Sequence, residues 1–202
     1  MSSSSPMPHP PLVLASTSPF RRELLSRLGI EFSTASPSID ETHDDQESPA
    51  NLVVRLAEEK AKAVAKSHPN TLIIGSDQVA TLEDRILGKP GGHERAVEQL
   101  TVASGRHVTF YTGLCLYNSH TGETQSSCEL FHVHFRELQA YEIENYLNKE
   151  QPYQCAGSFK SEGLGICLFK RLEGEDPNTL IGLPLIRLIE MLRNEGLDIL
   201  AE

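Results

Sequence analysis

The chain has 202 residues, of which 18 are Lys or Arg and 28 are Asp or Glu, so its formal charge at pH 7 is −10. This length favours one compact domain, and 39% hydrophobic with 23% charged residues is typical of a folded protein rather than a disordered or collagenous one. The acidic balance disfavours nucleic acid as a partner, and the apolar runs fall far short of the roughly 20 residues of a membrane-spanning helix.

The N-terminal segment and the cysteines indicate the cellular compartment of the protein. Residues 1–10 read MSSSSPMPHP, which lacks the basic and apolar regions of a secretion signal. We predict a disordered leader over residues 1–10, with Met7 as an alternative start, and a single domain over residues 11–202. The 4 cysteines contain no C-x-x-C pair and are too few for a disulfide-stapled fold, so we expect free thiols in a reducing compartment, the cytoplasm.

The pattern of apolar residues predicts alternating strands and helices. We expect strands over residues 12–15, 30–35, 71–75, 107–117, 123–135 and 166–172, and a hairpin over 79–87 that is closed by residues 88–90. We expect helices over residues 20–28, 48–67, 93–103, 139–148 and 184–194, with a turn over 173–178. These elements predict an α/β protein built on a mixed sheet that is flanked by helices.

Five loops combine turn residues with ionisable groups, over residues 16–22, 40–41, 75–78, 88–90 and 157–165. A site that cleaves a nucleotide phosphate needs cations and N–H donors for the oxygens, carboxylates for a metal, and a base for water. The loops contain all of these groups. Asp77 follows the β-prone run 71–75, so we expect it just past the end of a central strand, where open α/β sheets bind ligands.

Each candidate also has an ordinary structural explanation. Lys60 lies in E-E-K-A-K, which is typical of a salt-bridged exposed helix face, and Asp77 after Gly-Ser is typical of a turn. His132 and His134 share a strand face, an arrangement more often structural than metal-binding. The P-loop, zincin and nucleophile-elbow motifs are absent, and residues 92–108 lack a Nudix box, which argues against those four enzyme classes.

Six motifs follow one another in a distinctive order. They are L-A-S-T-S-P-F-R-R at 14–22, D-E-T at 40–42, L-A-E-E-K-A at 56–61, G-S-D-Q-V at 75–79, G-K-P at 88–90 and G-L-P-L at 182–185. In this order they resemble the Maf nucleotide pyrophosphatases, house-cleaning enzymes that cut nucleoside triphosphates to monophosphate and pyrophosphate. The resemblance implies a Maf/inosine-triphosphatase-like mixed sheet with a central cleft, a divalent cation (Mg²⁺, Mn²⁺ or Co²⁺) as cofactor, a nucleotide as substrate, and a homodimer.

Two segments distinguish the branches of this family. Members that cleave dTTP and UTP usually show G-A-D-T and K-A-G-A-Y-G-I-Q-G, whereas this chain has G-S-D-Q at 75–78 and C-A-G-S-F-K-S-E-G at 155–163, like the branch that prefers 7-methyl-GTP. Phe20 also stands where the other branch tends to have an arginine. An aromatic ring and a carboxylate would both favour a positively charged methylated guanine. We therefore expect Phe20, Gln78 and Glu162 to set substrate specificity.

The resemblance also implies roles for individual residues. The expected catalytic residues are Asp77, Glu41, Lys60 and Lys89, of which Asp77 and Glu41 hold the metal and Asp77 accepts the proton from water. The expected phosphate-binding residues are Ser16, Ser18, Arg21, Arg22 and Lys160. Direct proton abstraction and metal-bound hydroxide with Asp77 as ligand both remain open.

These roles predict that water attacks the α-phosphorus of 7-methyl-GTP, which yields 7-methyl-GMP and diphosphate. Two alternatives stay open. One is a dTTP/UTP-type pyrophosphatase of the same family, and the other is a nucleotide-binding regulator of cell division or septum formation, which binds without turnover.

Overall fold

A computed structural model describes residues 10–43, 47–83 and 85–201 of the chain. Residues 1–9 of the predicted leader lie outside the described residues. The strands are β1 (Leu12–Ala15), β2 (Ser33–Ala35), β3 (Leu72–Leu82), β4 (Arg85–Leu87), β5 (His107–Asn118), β6 (Thr124–Phe135) and β7 (Phe169–Glu173). The helices are α1 (Pro19–Ser26), α2 (Pro49–Ala65), α3 (His93–Ala103), α4 (Ala140–Glu150), α5 (Pro177–Ile181) and α6 (Leu185–Asn194).

All of these strands belong to one mixed sheet, as predicted. The strand order is β2-β1-β3-β5-β6-β7, with β4 paired to the outer half of β3. Strand β1 is parallel to β2 and β3, whereas β3, β5, β6 and β7 are antiparallel neighbours. Helices cover the sheet, so the predicted fold class, a mixed sheet flanked by helices, is confirmed.

The expected position of Asp77 past the end of a strand is wrong. Strand β3 continues to Leu82 because β5 pairs with it along its whole length, and Asp77 lies opposite Gly113 inside this ladder. The parallel partner β1, however, ends at Ala15, opposite Gly75. Asp77 therefore still lies just beyond the carboxyl end of a parallel strand, at the edge where the loop after β1 turns away.

Other boundaries also differ from the prediction. The hairpin of β3 and β4 turns at Glu83, which has a positive φ of 55°, rather than at residues 88–90, because β4 pairs back onto residues 80–82. Residues 164–168 form a 3₁₀ helix that takes the first three residues of the strand expected over 166–172, so β7 begins only at Phe169. Helix α5 occupies part of the expected turn over 173–178. Helix α1 ends two residues early, and β2 covers only 33–35 because β1 offers just Val13 to Ala15 as partners.

Serine side chains begin the two helices that frame the site. Ser18 and Ser48 are the N-caps of α1 and α2, and each side chain accepts a hydrogen bond from the backbone N–H three residues later. A proline follows each serine, where its missing N–H costs no helical hydrogen bond. The local sequence therefore determines where both helices start.

Two glycines let α2 lie directly on the sheet. A Cβ at Gly75 would lie 2.0 Å from the carbonyl oxygen of Ala57, and a Cβ at Gly113 would lie 2.0 Å from that of Val53. Gly75 is two residues before Asp77 on the same strand, and Gly113 is its cross-strand partner, so all three share one face of the sheet. The close approach brings the helix within reach of Asp77.

The core lies on both faces of the sheet. One buried cluster contains Leu14, Leu114 and Leu188 from the side of α1 and α6, and another contains Val13, Ala57 and Ile73 from the side of α2. The four cysteines are free thiols, as predicted. Among the described residues, no helix has both the length and the apolar composition needed to cross a membrane.

We expect Gly113→Ala to lower the free energy of unfolding by about 2–3 kcal/mol, because the added methyl group meets the backbone of α2 rather than a side chain that can move. Urea unfolding followed by circular dichroism measures this change. Gly88→Ala is the control, since a Cβ there meets nothing within 4 Å. Equal stability of Gly113→Ala and the wild type would contradict the packing argument.

Candidate active site

A cleft of about 950 Å³ opens at the edge where β1 ends. Its lining includes eleven of the twelve residues that the sequence singled out, namely Ser16, Ser18, Phe20, Arg21, Glu41, Lys60, Asp77, Gln78, Lys89, Lys160 and Glu162. Arg22 is the exception. It lines a separate cavity of about 310 Å³, together with Ser26 and Thr34.

Lys60 lies between two carboxylates at the centre of the cleft lining. Its Nζ is 2.6 Å from Asp77 Oδ1 and 2.7 Å from Glu41 Oε1. The Lys60 side chain is only 7% exposed, that of Asp77 is 13% exposed, and that of Glu41 is 61% exposed. A buried ammonium group requires such compensation, since an unpaired charge is costly away from water. Lys60 thus connects α2, the central strand and the loop that carries Glu41.

The surrounding cations affect the ionisation of Glu41. Its hydrogen bond with Lys60 is the largest factor that lowers the pKa of Glu41, and the charges of Lys60, Lys89 and Arg21 lower it further. Burial lowers the pKa of Arg21, whereas Asp77 and Glu41 act in the opposite direction. A guanidinium group remains charged in proteins despite such a shift. The cleft therefore holds opposite charges in close contact.

Glu41 and Asp77 are the carboxylates that could hold a divalent cation in this cleft. The two side chains already converge on one cationic nitrogen, so the donor set fits a small hard cation. Within the described residues there is no group of three or more His, Cys, Asp or Glu side chains arranged to hold a metal ion. Mg²⁺ commonly binds through one or two carboxylates together with substrate phosphates and water, which suits this pair.

The loop after β1 is held by its own serines. Ser16 Oγ accepts a hydrogen bond from the Ser18 N–H at 3.1 Å, and Ser18 Oγ accepts one from the Arg21 N–H at 3.4 Å. The Arg21 side chain donates from Nε to the carbonyl oxygen of Gly182 at 2.8 Å. This bond leaves the two terminal nitrogens of Arg21 to meet an anion in the cleft.

A glutamine connects the two loops that carry Lys89 and Lys160. Gln99 on α3 donates from Nε2 to the Gly88 carbonyl oxygen at 3.0 Å and accepts from Ser158 Oγ at 2.5 Å. The backbone N–H of Lys160 donates to the Tyr146 hydroxyl at 3.1 Å. Sequence reasoning missed Gln99, and no motif marks it, because its role depends on two loops that lie far apart in the chain.

The three expected specificity residues have different surroundings. Phe20 is 37% exposed and faces the cleft, while the buried residues of α1 are Leu24 and Leu25. Glu162 is exposed on the loop of Lys160, and its carboxylate accepts from the Ser161 hydroxyl at 3.2 Å. The Gln78 amide nitrogen, in contrast, donates within the protein, to the Thr179 and Leu180 carbonyls and to the Thr112 hydroxyl.

Comparisons with known proteins match nearly the whole chain. A family model described as "Maf-like protein" matches residues 11–195. The chain is 60% identical over 191 residues to the 7-methyl-GTP pyrophosphatase of Colwellia psychrerythraea, which covers 95% of this chain and 96% of that protein. It is 60% identical over 190 residues to the 7-methyl-GTP pyrophosphatase of Alcanivorax borkumensis, covering 94% and 96%. Among solved structures, the Staphylococcus aureus Ham1 protein aligns with a TM-score of 0.46 and 14% identity over 92% of this chain and 99% of that one.

We expect Lys60→Met to raise the pKa of Glu41, because the variant removes the hydrogen bond that lowers it most. In the wild type the lowered pKa contributes stability above the ordinary value of 4.5, and this contribution is lost as the pH falls through the lowered value. An NMR titration of the side-chain carboxyl carbons measures the shift.

Lys62→Met is the matched control for this titration. Lys62 lies on the same helix and bonds to Glu58, so its loss should raise the pKa of Glu58 and leave that of Glu41 in place. A Glu41 pKa that is the same in the wild type and in Lys60→Met would show that Lys60 does not hold this carboxylate.

Proposed function

The chain belongs to the Maf-like protein family, and on this premise we propose that it is a nucleoside triphosphate pyrophosphatase that hydrolyses 7-methyl-GTP to 7-methyl-GMP and diphosphate. The observation that carries the proposal is the Lys60 centre of the cleft, where two carboxylates converge on one buried ammonium group. Binding alone does not need such a pair, whereas orienting a water molecule for attack does. The names of the 60% identical relatives support the substrate.

The distribution of charge fits a triphosphate. The chain as a whole carries −10, yet Arg21, Lys60, Lys89 and Lys160 all line one cleft. Lys60 is held between two carboxylates at 2.6 and 2.7 Å, whereas Lys160 has a longer contact with Glu150, at 3.6 Å, so we assign the phosphates to Arg21, Lys89 and Lys160. The acidic remainder of the surface repels large polyanions, which leaves a small one as the preferred ligand.

The chemical step is a hydrolysis at the α-phosphorus. Asp77 Oδ1 is held by Lys60, which leaves the other carboxylate oxygen to accept a proton from water. The water oxygen forms a bond to the α-phosphorus, the bond from that phosphorus to the oxygen bridging to the β-phosphorus breaks, and diphosphate leaves. Cations around the phosphates stabilise the charge that develops on the leaving group. A divalent cation held by Asp77 and Glu41 would neutralise phosphate oxygens further.

Two side chains suit a methylated guanine. N7-methylation gives the purine a positive charge, and an aromatic face and a carboxylate both attract a cation. Phe20 presents a half-buried ring to the cleft, and Glu162 adds a carboxylate to its lining. The ring would stack on the base while the carboxylate offsets its charge. The cytoplasmic location and the homodimer that the sequence suggested stay predictions.

We expect the purified protein to convert 7-methyl-GTP to 7-methyl-GMP and diphosphate in the presence of Mg²⁺ or Mn²⁺, with Asp77→Asn slower by about 10³-fold because the amide cannot accept the proton. Chromatography of the products from 7-methyl-GTP, GTP, UTP and dTTP measures the substrate preference and the rate of each variant. Asp198→Asn, a change outside the cleft lining, is the matched control and should leave the rate unchanged.

The same experiment distinguishes the alternatives. Cleavage chiefly of UTP or dTTP would indicate the other branch of the family. Nucleotide binding by a folded protein without any turnover would support the regulator of cell division and contradict the proposed reaction. Near wild-type turnover by folded Asp77→Asn would exclude Asp77 as the base.

We expect Phe20→Leu and Glu162→Gln each to lower kcat/KM for 7-methyl-GTP about tenfold more than for GTP, since only the methylated base carries the charge that these groups attract. Steady-state kinetics on the two substrates gives the ratio. Tyr141→Leu, which removes an aromatic ring that is 65% exposed and outside the cleft lining, should change neither value. Equal losses on both substrates would argue against recognition of the base.

A further inference from the structure

Helix α5 is five residues long, and the carbonyl groups at its end accept hydrogen bonds from side chains on three other elements, α1, β3 and β5. The Gly182 carbonyl oxygen accepts from Arg21 Nε at 2.8 Å and from Ser76 Oγ at 3.0 Å. Gly182 has a φ of 122°, a conformation that favours glycine. Both lone pairs of one carbonyl are thus used, one by the phosphate-facing arginine and one by the central strand.

Gln78 makes a second connection to the same helix. Its Nε2 donates to the Thr179 carbonyl oxygen at 2.8 Å and lies 3.2 Å from that of Leu180. Thr112 supports this contact, because its hydroxyl lies 2.9 Å from the same nitrogen and 3.0 Å from the Thr179 oxygen. Ser76, Thr112 and Thr179 are at most 1% exposed, so water cannot replace these bonds.

The N-terminal end of α5 is also held by hydrogen bonds. Asp176, which is 5% exposed, accepts from the Asn178 N–H at 2.8 Å and from the Ile186 N–H at 2.8 Å. One carboxylate thereby caps the first turns of both α5 and α6. Asp176 therefore fixes α5 relative to α6, and the hydrogen bonds of Ser76 and Gln78 fix α5 relative to β3.

Successive residues of β3 point to opposite faces of the sheet and make different contacts. Asp77 points to the face of α2, where it meets Lys60, whereas Ser76 and Gln78 point to the opposite face and meet α5. Three consecutive residues therefore connect the proton-accepting carboxylate to the support of Arg21. A shift of α5 relative to β3 would move Arg21 relative to Asp77.

We propose that Ser76 and Gln78 are positioning residues that hold Arg21 in register with Asp77 through α5 and the Gly182 carbonyl. The inference rests on the proposed function, in which Arg21 binds the phosphates. It gives Gln78 a different task from base recognition, which the sequence suggested for it. Gln78 acts on the triphosphate part that 7-methyl-GTP and GTP share, so its loss affects these two nucleotides alike.

The test compares Gln78→Met and Ser76→Ala with the wild type. We expect the affinity for inorganic pyrophosphate, measured by calorimetry with Mg²⁺ present, to fall about tenfold in Gln78→Met and less in Ser76→Ala, because a charged group loses its support. We expect kcat/KM for 7-methyl-GTP and for GTP to fall by the same factor. Ser76→Ala removes a single oxygen atom and keeps the test valid if Gln78→Met does not fold.

Gln125→Met is the matched control. Gln125 is also a half-buried strand glutamine whose Nε2 donates to a helix carbonyl, that of Met191 at 3.0 Å, but it lies outside the cleft lining. We expect this variant to lose stability without losing pyrophosphate affinity. An effect of the same size in Gln125→Met and Gln78→Met would reduce the role of Gln78 to general stability and overturn the proposal.

A double-mutant cycle adds a readout that a purely structural role would not change. In an Arg21→Ala background, Gln78→Met should cause no further loss of pyrophosphate affinity, whereas independent effects would add. A change in the ratio of 7-methyl-GTP to GTP turnover with unchanged pyrophosphate affinity would assign Gln78 to the base and overturn the proposal. If the wild type hydrolyses no nucleotide, the proposed function fails, and the pyrophosphate measurements still decide the role of Gln78.

Discussion

The contact of one buried ammonium group with two carboxylates determines how the rest of the site is built. Lys60 needs both Asp77 and Glu41, since a single buried charge without partners is strongly destabilising. To bring Lys60 this close, α2 must lie on the sheet without intervening side chains, which Gly75 and Gly113 allow. The same contact draws the loop of Glu41 over the cleft. The packing of α2 on the sheet therefore also determines where Lys60, Asp77 and Glu41 meet.

Strand β3 connects this centre to the phosphate-binding side. Asp77 contacts Lys60 on one face of the strand, whereas Ser76 and Gln78 bond to α5 and Gly182 on the other. The catalytic carboxylate and the groups that position Arg21 therefore lie on one continuous backbone. Lys89 and Lys160 are held separately, by loops that Gln99 connects. Cations gathered in one cleft of a chain with a charge of −10 favour a compact polyanion over a nucleic acid.

The sequence predicts the helices and strands and most residues of the site, but not the hydrogen bonds that hold those residues in place. The serine caps and the long periodic segments of α2, α3, β5 and β6 were recognisable, since their signals are local. Asp77 was expected outside a strand because the pairing of β3 with β5 is a long-range property. Successive helical residues point about 100° apart, which explains why Arg21 lines the cleft and Arg22 does not. Backbone carbonyls such as that of Gly182 have no sequence signature, so the support of Arg21 was missed.

The central claim is that Asp77, held by Lys60, directs water onto the α-phosphorus. Hydrolysis of 7-methyl-GTP by the wild-type protein in water enriched in ¹⁸O, with mass spectrometry of both products, tests it most directly. Attack at the α-phosphorus predicts that the heavy oxygen appears in 7-methyl-GMP and that the diphosphate carries none. Label in the diphosphate would show attack at the β-phosphorus and contradict the role assigned to the Lys60 centre.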